Sequence, residues 1–320
     1  MHSHLLFVIL QATFFANTAA APRETNVAIR AQVIALADPA TAAKAQQALT
    51  NEPVDVLLPV LIEAMAHDPA YRNETARIYG YQLMHDIGAG RYAEGCNQLL
   101  QGLFESSMQI RLNCIYGLRL APADQMPAVI RDLARIISEP NENLDVIKAA
   151  VELVSLFGGK SELVLDAIRP HYARDDVTPS FKAVVALAIM RIGGASEAVL
   201  LIRSAKEQDA VALLQALGLF FAESKGLPDA PIGARGELQR FVIDALQSDD
   251  RVVRVAAMSS LFPVFAQSLE ADVNRREVDP KLRSVLEKVR DHDPDPELRA
   301  VAAAGLEGLS QRINAERSIP

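Results

Sequence analysis

The chain has 320 residues, half of them hydrophobic, with a formal net charge of −8, two Cys and no Trp. An acidic balance of this size argues against general nucleic-acid binding. Beyond the first twenty residues, no stretch reaches membrane-spanning length without charge.

Residues 1–20 read as a cleavable export signal. Leu5 to Leu10 and Ala12 to Ala16 form a short apolar core, and Thr18-Ala19-Ala20 supplies small residues for a signal peptidase. The expectation is a mature chain in the periplasm or outside the cell, with no membrane span left after cleavage. From residue 21 to 320 the chain reads as a single helical-repeat domain. Apolar residues recur at helical spacing almost without interruption, and strand and hairpin signals are nearly missing. The punctuation is short and recurrent: His67-Asp68-Pro69, Ser138-Glu139-Pro140, Asp175-Asp176, Ser248-Asp249-Asp250 and His292-Asp293-Pro294. Asp and Ser cap the orphan N–H groups of a following helix, and Pro fits its first turn.

A phrase repeats after these turns. Asp250-Arg251-Val252-Val253-Arg254 and Asp295-Pro296-Glu297-Leu298-Arg299 each run into a helix that places Ala three residues after Arg254 or Arg299 and Leu seven after it. Carried backwards, the Arg position is taken by Lys182, Ile147, Arg111 and Arg72, at a spacing of about 35 to 45 residues. Ala210 to Ala222 fits the phrase poorly but is helical and apolar. A second set recurs between these helices: Leu133-Ala134-Arg135, Ala167-Ile168-Arg169 and Leu201-Ile202-Arg203 at intervals of 34, then Leu238-Gln239-Arg240 after 37. The longest irregular stretch is the Gly/Pro-rich loop 224–236.

This pattern resembles the HEAT-repeat superfamily, in particular its short-repeat branch related to bilin lyases. The resemblance implies an all-α fold, an α-solenoid of antiparallel helix pairs, in which the second helices line the concave face. It implies no common activity. The expectation is a non-catalytic scaffold, with no cofactor, for an unknown protein partner or anionic ligand. Arg135, Arg169, Arg203 and Arg240 would form a ladder of guanidiniums facing a partner with an acidic surface. The bland alternative is cations near helix C-termini, which favour the macrodipole without any ligand.

An enzymatic alternative rests on His85-Asp86, which resembles the short metal-binding signature of HD-type phosphohydrolases, with His67 as an upstream ligand. A further alternative is a bilin-lyase-like enzyme. No P-loop, dinucleotide turn or nucleophile elbow is present. Cys96 and Cys114 fall on consecutive predicted helices, about 92–104 and 107–120, and export predicts a disulfide between them. Gly95 and Gly102 are expected to let those helices approach closely enough for it. The alternative is two buried thiols filling apolar positions.

Overall fold

The computed structural model describes residues 23–317 apart from 88, 158, 224–232 and 271–279. The expected export signal and most of the Gly/Pro-rich loop therefore lie outside the described residues. Among those described there are fifteen α-helices and no strand, so the protein is all-α. The chain divides into two compact units at Gly158/Gly159.

The first unit holds α1 (Arg23–Leu36), α2 (Ala42–Leu49), α3 (Val54–His67), α4 (Glu74–Ile87), α5 (Ala89–Gly102), α6 (Met108–Gly117), α7 (Met126–Ile137) and α8 (Leu144–Phe157). Its centre is α3, which buries Leu57, Leu58, Leu61 and Ile62 against α1, α5 and α6. Ser107 starts α6 by accepting from the Ile110 N–H, and Asn73 accepts from the Ala76 N–H at the start of α4. Asp68 caps the 3-10 turn Pro69–Tyr71 by accepting from the Ala70 N–H. Within that turn the buried Tyr71 hydroxyl donates to the Val33 carbonyl at 2.6 Å.

The second unit holds α9 (Glu162–Tyr172), α10 (Pro179–Ser204), α11 (Ala210–Glu223), α12 (Ala234–Ala245), α13 (Arg251–Glu270), α14 (Pro280–His292) and α15 (Pro296–Arg317). Thr178 caps α10, and Gly233 opens α12 in the left-handed region at φ 94°. Of the described helices, α10 alone is long and apolar enough to cross a membrane. Gly194, at φ 72° and ψ −160°, breaks it into two shorter helices, and 61% of its apolar window is buried within the unit. That is the signature of a core helix pair. α11 packs closely on both α10 and α13.

The side chain in the repeated Arg position has a definite structural task. Arg111 Nη1 donates to the carbonyls of Glu105 and Ser106, which end the turn before its own helix. Arg254 does the same to Ser248 and Asp249, and Arg299 to Asp293 and Pro294. In each case the acceptors lie six and five residues back. Three cations at this position reach forward to an acid in the turn before a later helix. Arg111 donates to Glu142 at 2.8 Å, Lys182 to Asp209 at 2.6 Å and Arg254 to Asp293 at 3.2 Å. Arg111 and Arg254 thus do both, satisfying turn carbonyls and tying their helix to a later turn, whereas Arg299 makes the backward bonds and Lys182 the forward one.

Candidate functional site

The guanidiniums of the expected ladder are placed differently from one another. Arg135 is in the first unit, exposed, with its Cζ 4.6 Å from the centre of the Phe104 ring. The other three are in the second unit. Arg169 donates to Glu162, Asp166 and Glu197 at 2.6, 3.0 and 3.1 Å. Its hydrogen bonds to Glu162 and Glu197 hold its proton still more firmly than usual. Arg203 makes a two-pronged pair with Glu237, at 2.9 and 2.6 Å. Arg240 is exposed. Two of the four therefore have their donors directed at carboxylates of this same unit rather than offered to a ligand.

The His-Asp dipeptide lies on the surface of α4. The His85 side chain is 73% exposed. Asp86 accepts from Gln46 and, at 3.0 Å, from Gln82. Desolvation raises its carboxyl, but the hydrogen bonds from His85, Gln82 and Gln46 together outweigh this and hold it below its ordinary value. His67 is exposed at the C-terminus of α3. Among the described residues no group of three or more His, Cys, Asp or Glu side chains could hold a metal ion.

The structure places no bond between the two cysteines. Cys96 on α5 and Cys114 on α6 are free thiols, both fully buried. The close approach attributed to Gly95 is real but serves another partner. A Cβ at Gly95 would stand 2.4 Å from Leu58 Cδ1 and 3.0 Å from Val54 Cγ1, so the glycine seats α5 on α3, not on α6. The cysteines are left as small apolar residues in the core. Burial, with Glu105 nearby, pushes the Cys114 thiol well up; burial and Asp124 push Cys96 up. Both thiols are thus held neutral in the folded chain. Their contribution to stability is intact below the ordinary thiol range and is lost as the pH rises above it, because the unfolded chain ionises first. Neither cysteine is expected to react with iodoacetamide at pH 8 in the folded protein. Two are expected to react after denaturation without reductant; fewer than two would restore the disulfide.

The surface feature that composition did not foreshadow is a groove of about 650 Å³ across α10, α11 and α13. Fifteen residues line it and none is charged, in a chain where 22% of residues are. Its floor comes from close packing. Gly218 on α11 faces Ser260 on α13, where a Cβ would stand 3.3 Å from the Ser260 Oγ, and the Ser260 hydroxyl donates to the Leu214 carbonyl at 2.6 Å. Its sides are apolar and open to solvent: Leu219 is 52% and Val252 58% exposed, with Val255 beside them. Such a surface can bury apolar side chains of a partner and penalises any unpaired charge brought into it. One sequence signal pointed here. Ala210–Glu223, AVALLQALGLFFAE, is apolar on both faces, and a helix of that kind is covered on both sides.

No family model matches the chain, and no curated protein matches it either. Among solved structures, it is similar to two engineered proteins from the Northeast Structural Genomics Consortium. The first, target OR497, is 16% identical with a TM-score of 0.36, over 92% of this chain and 83% of that one. The second, target OR329, is 15% identical with a TM-score of 0.31, over 89% of this chain and 97% of that one. Likenesses at this level leave the chain's function to be argued from its own residues.

Proposed function

We propose that the protein is an exported, non-catalytic helical-repeat scaffold, an α-solenoid of HEAT-like antiparallel helix pairs, that binds a protein partner through the groove on α10, α11 and α13. The observation that carries the binding reading is the groove's lining: fifteen uncharged residues, with exposed Leu219 and Val252 on its sides. Exposed apolar surface gathered in one concavity marks an interaction site more often than scattered apolar residues do. The repeat reading is supported by the recurring cation that reaches back six and five residues and forward to a later acid. The partner's contact surface is apolar. An acidic partner held by the guanidiniums is the competing reading, and the engagement of Arg169 and Arg203 with Glu162, Glu197 and Glu237 weakens it.

Tagged full-length protein and two variants distinguish these readings by the proteins that co-purify with each. Leu219→Asp with Val252→Asp alters only exposed side chains and is expected to lose the partner with the helical circular dichroism unchanged. Arg135→Glu with Arg240→Glu is expected to keep it. The opposite pattern would favour the acidic partner and contradict the groove. For the export part of the proposal, mass spectrometry of the protein in the envelope or secreted fraction is expected to find an N-terminus near Ala20 or Ala21. An intact Met1 there would contradict cleavage.

A further inference from the structure

The two C-terminal helices are attached to the rest of the second unit differently from their predecessors. α10, α11 and α13 pack closely in succession, whereas α14 and α15 pack chiefly on each other. A crevice of about 410 Å³ separates α14 from the end of α12 and the turn that follows it, lined by apolar Ile243, Leu246, Val285 and Val289 as well as by polar residues such as Lys288 and His292. α14 is also strongly solvated. It buries Leu282, Leu286 and Val289 and exposes Lys281, Arg283, Glu287, Lys288, Arg290 and Asp291. The crevice leaves this junction incompletely packed, so opening it forfeits less contact than separating α11 from α10 or α13 would.

What bridges the junction is ionic. Arg251 Nε donates to Asp295 Oδ2 at 2.6 Å, and its Nη2 donates to Glu297 Oε2 at 2.6 Å. Arg254 Nε donates to Asp293 Oδ2 at 3.2 Å. Asp293 and Asp295 belong to the turn that joins α14 to α15, and Glu297 to the first turn of α15. Asp293 and Asp295 also brace that turn, accepting from the Asp295 and Glu297 N–H groups at 2.8 Å each. One helix thus grips the hinge turn of the next pair with two arginines. The outer pair is exposed at Arg251, whose side chain is 57% accessible, and the inner one is buried, with Arg254 and Asp293 at 9% and 3%. We propose that α14 and α15 form a separately opening cap on the second unit, latched by Arg251 and Arg254 onto Asp293, Asp295 and Glu297. The cap opens and closes as one body, because its two helices bury their apolar faces on each other.

Hydrogen exchange of the full-length protein, read peptide by peptide, tests this. Peptides from α14 and from α15 are expected to exchange at one common rate, about tenfold or more faster than those from α11 and the first half of α13. Arg251→Glu faces Asp295 and Glu297 with a third carboxylate and is expected to speed the cap by a further factor of about five, while α11 stays within about twofold of the parent. Combining Arg251→Glu with Glu297→Arg restores the opposite charges and is expected to return the cap towards the parent rate. Equal protection of α14, α15 and α11 in the parent protein would overturn the proposal. So would Arg251→Glu accelerating the whole unit equally or leaving the cap unchanged. Arg251→Gln, which removes the pair without repulsion, is expected to fall between parent and Arg251→Glu; no acceleration of the cap in it would also count against the latch.

Discussion

Replacing Asp209 by Ala is expected to lower the stability of the second unit by about 3–5 kcal/mol, the usual cost of breaking a buried ion pair from one side. Lys182 and Asp209 are 2.6 Å apart, with side chains 6% and 5% exposed. Without the carboxylate, the ammonium is left in a site whose other contacts are weaker. The Tyr172 ring centre is 5.8 Å away and Asp175 is 3.9 Å away. The Tyr172 hydroxyl is itself buried without a hydrogen-bond partner, and burial followed by the Asp209 charge pushes its ionisation well above the ordinary range. For a unit of this size the loss corresponds to a fall in melting temperature on the order of 10 °C. Lys182→Met together with Asp209→Leu removes both charges and is expected to recover most of the loss, because the desolvation cost of the pair goes with them. Urea unfolding followed by circular dichroism measures both. A cost below about 1 kcal/mol for Asp209→Ala would mean the pair does not tie α10 to the turn before α11.

Gly95→Val is expected to destabilise the first unit by about 3 kcal/mol, at the upper end of overpacking costs. The first atom of the new side chain already overlaps Leu58 Cδ1 at 2.4 Å, and Leu58 and Val54 are fully buried. Gly308→Ala is the matched control. It also sits inside a helix, but a Cβ there meets nothing within 4 Å. Relief from the helix penalty of glycine is expected to stabilise by about 0.5–1 kcal/mol. If both substitutions shifted the urea midpoint in the same direction, the close approach of α5 to α3 would not be a packing constraint.

The helical class was legible because apolar spacing and capping turns agree almost everywhere along the chain. The Arg position was legible as a recurrence, but its task was not. Nothing in Arg111 or Arg254 says that its donors go to carbonyls six and five residues back, or that Glu142 and Asp293 complete the set. Those pairings depend on which turn the fold brings alongside. Gly95 shows the same limit from the other side. The sequence marks a close approach but not its partner, and the neighbour in space proved to be α3 rather than the neighbour in sequence. The guanidinium ladder was a true periodicity with an ordinary outcome for Arg169 and Arg203, which find carboxylates nearby. The groove went unread because helix analysis assigns one apolar stripe to the core, and α10, α11 and α13 carry a second stripe whose exposure depends on how they are stacked.

Photo-crosslinking from inside the groove tests the central claim most directly. A photoreactive residue placed at Val252 or at Leu219 in the full-length protein, expressed in its own cells, is expected to give the same discrete adduct from both positions. The same residue placed at exposed Leu163 on α9 is expected to give none. Adducts from Leu163 with none from Val252 or Leu219 would contradict the account.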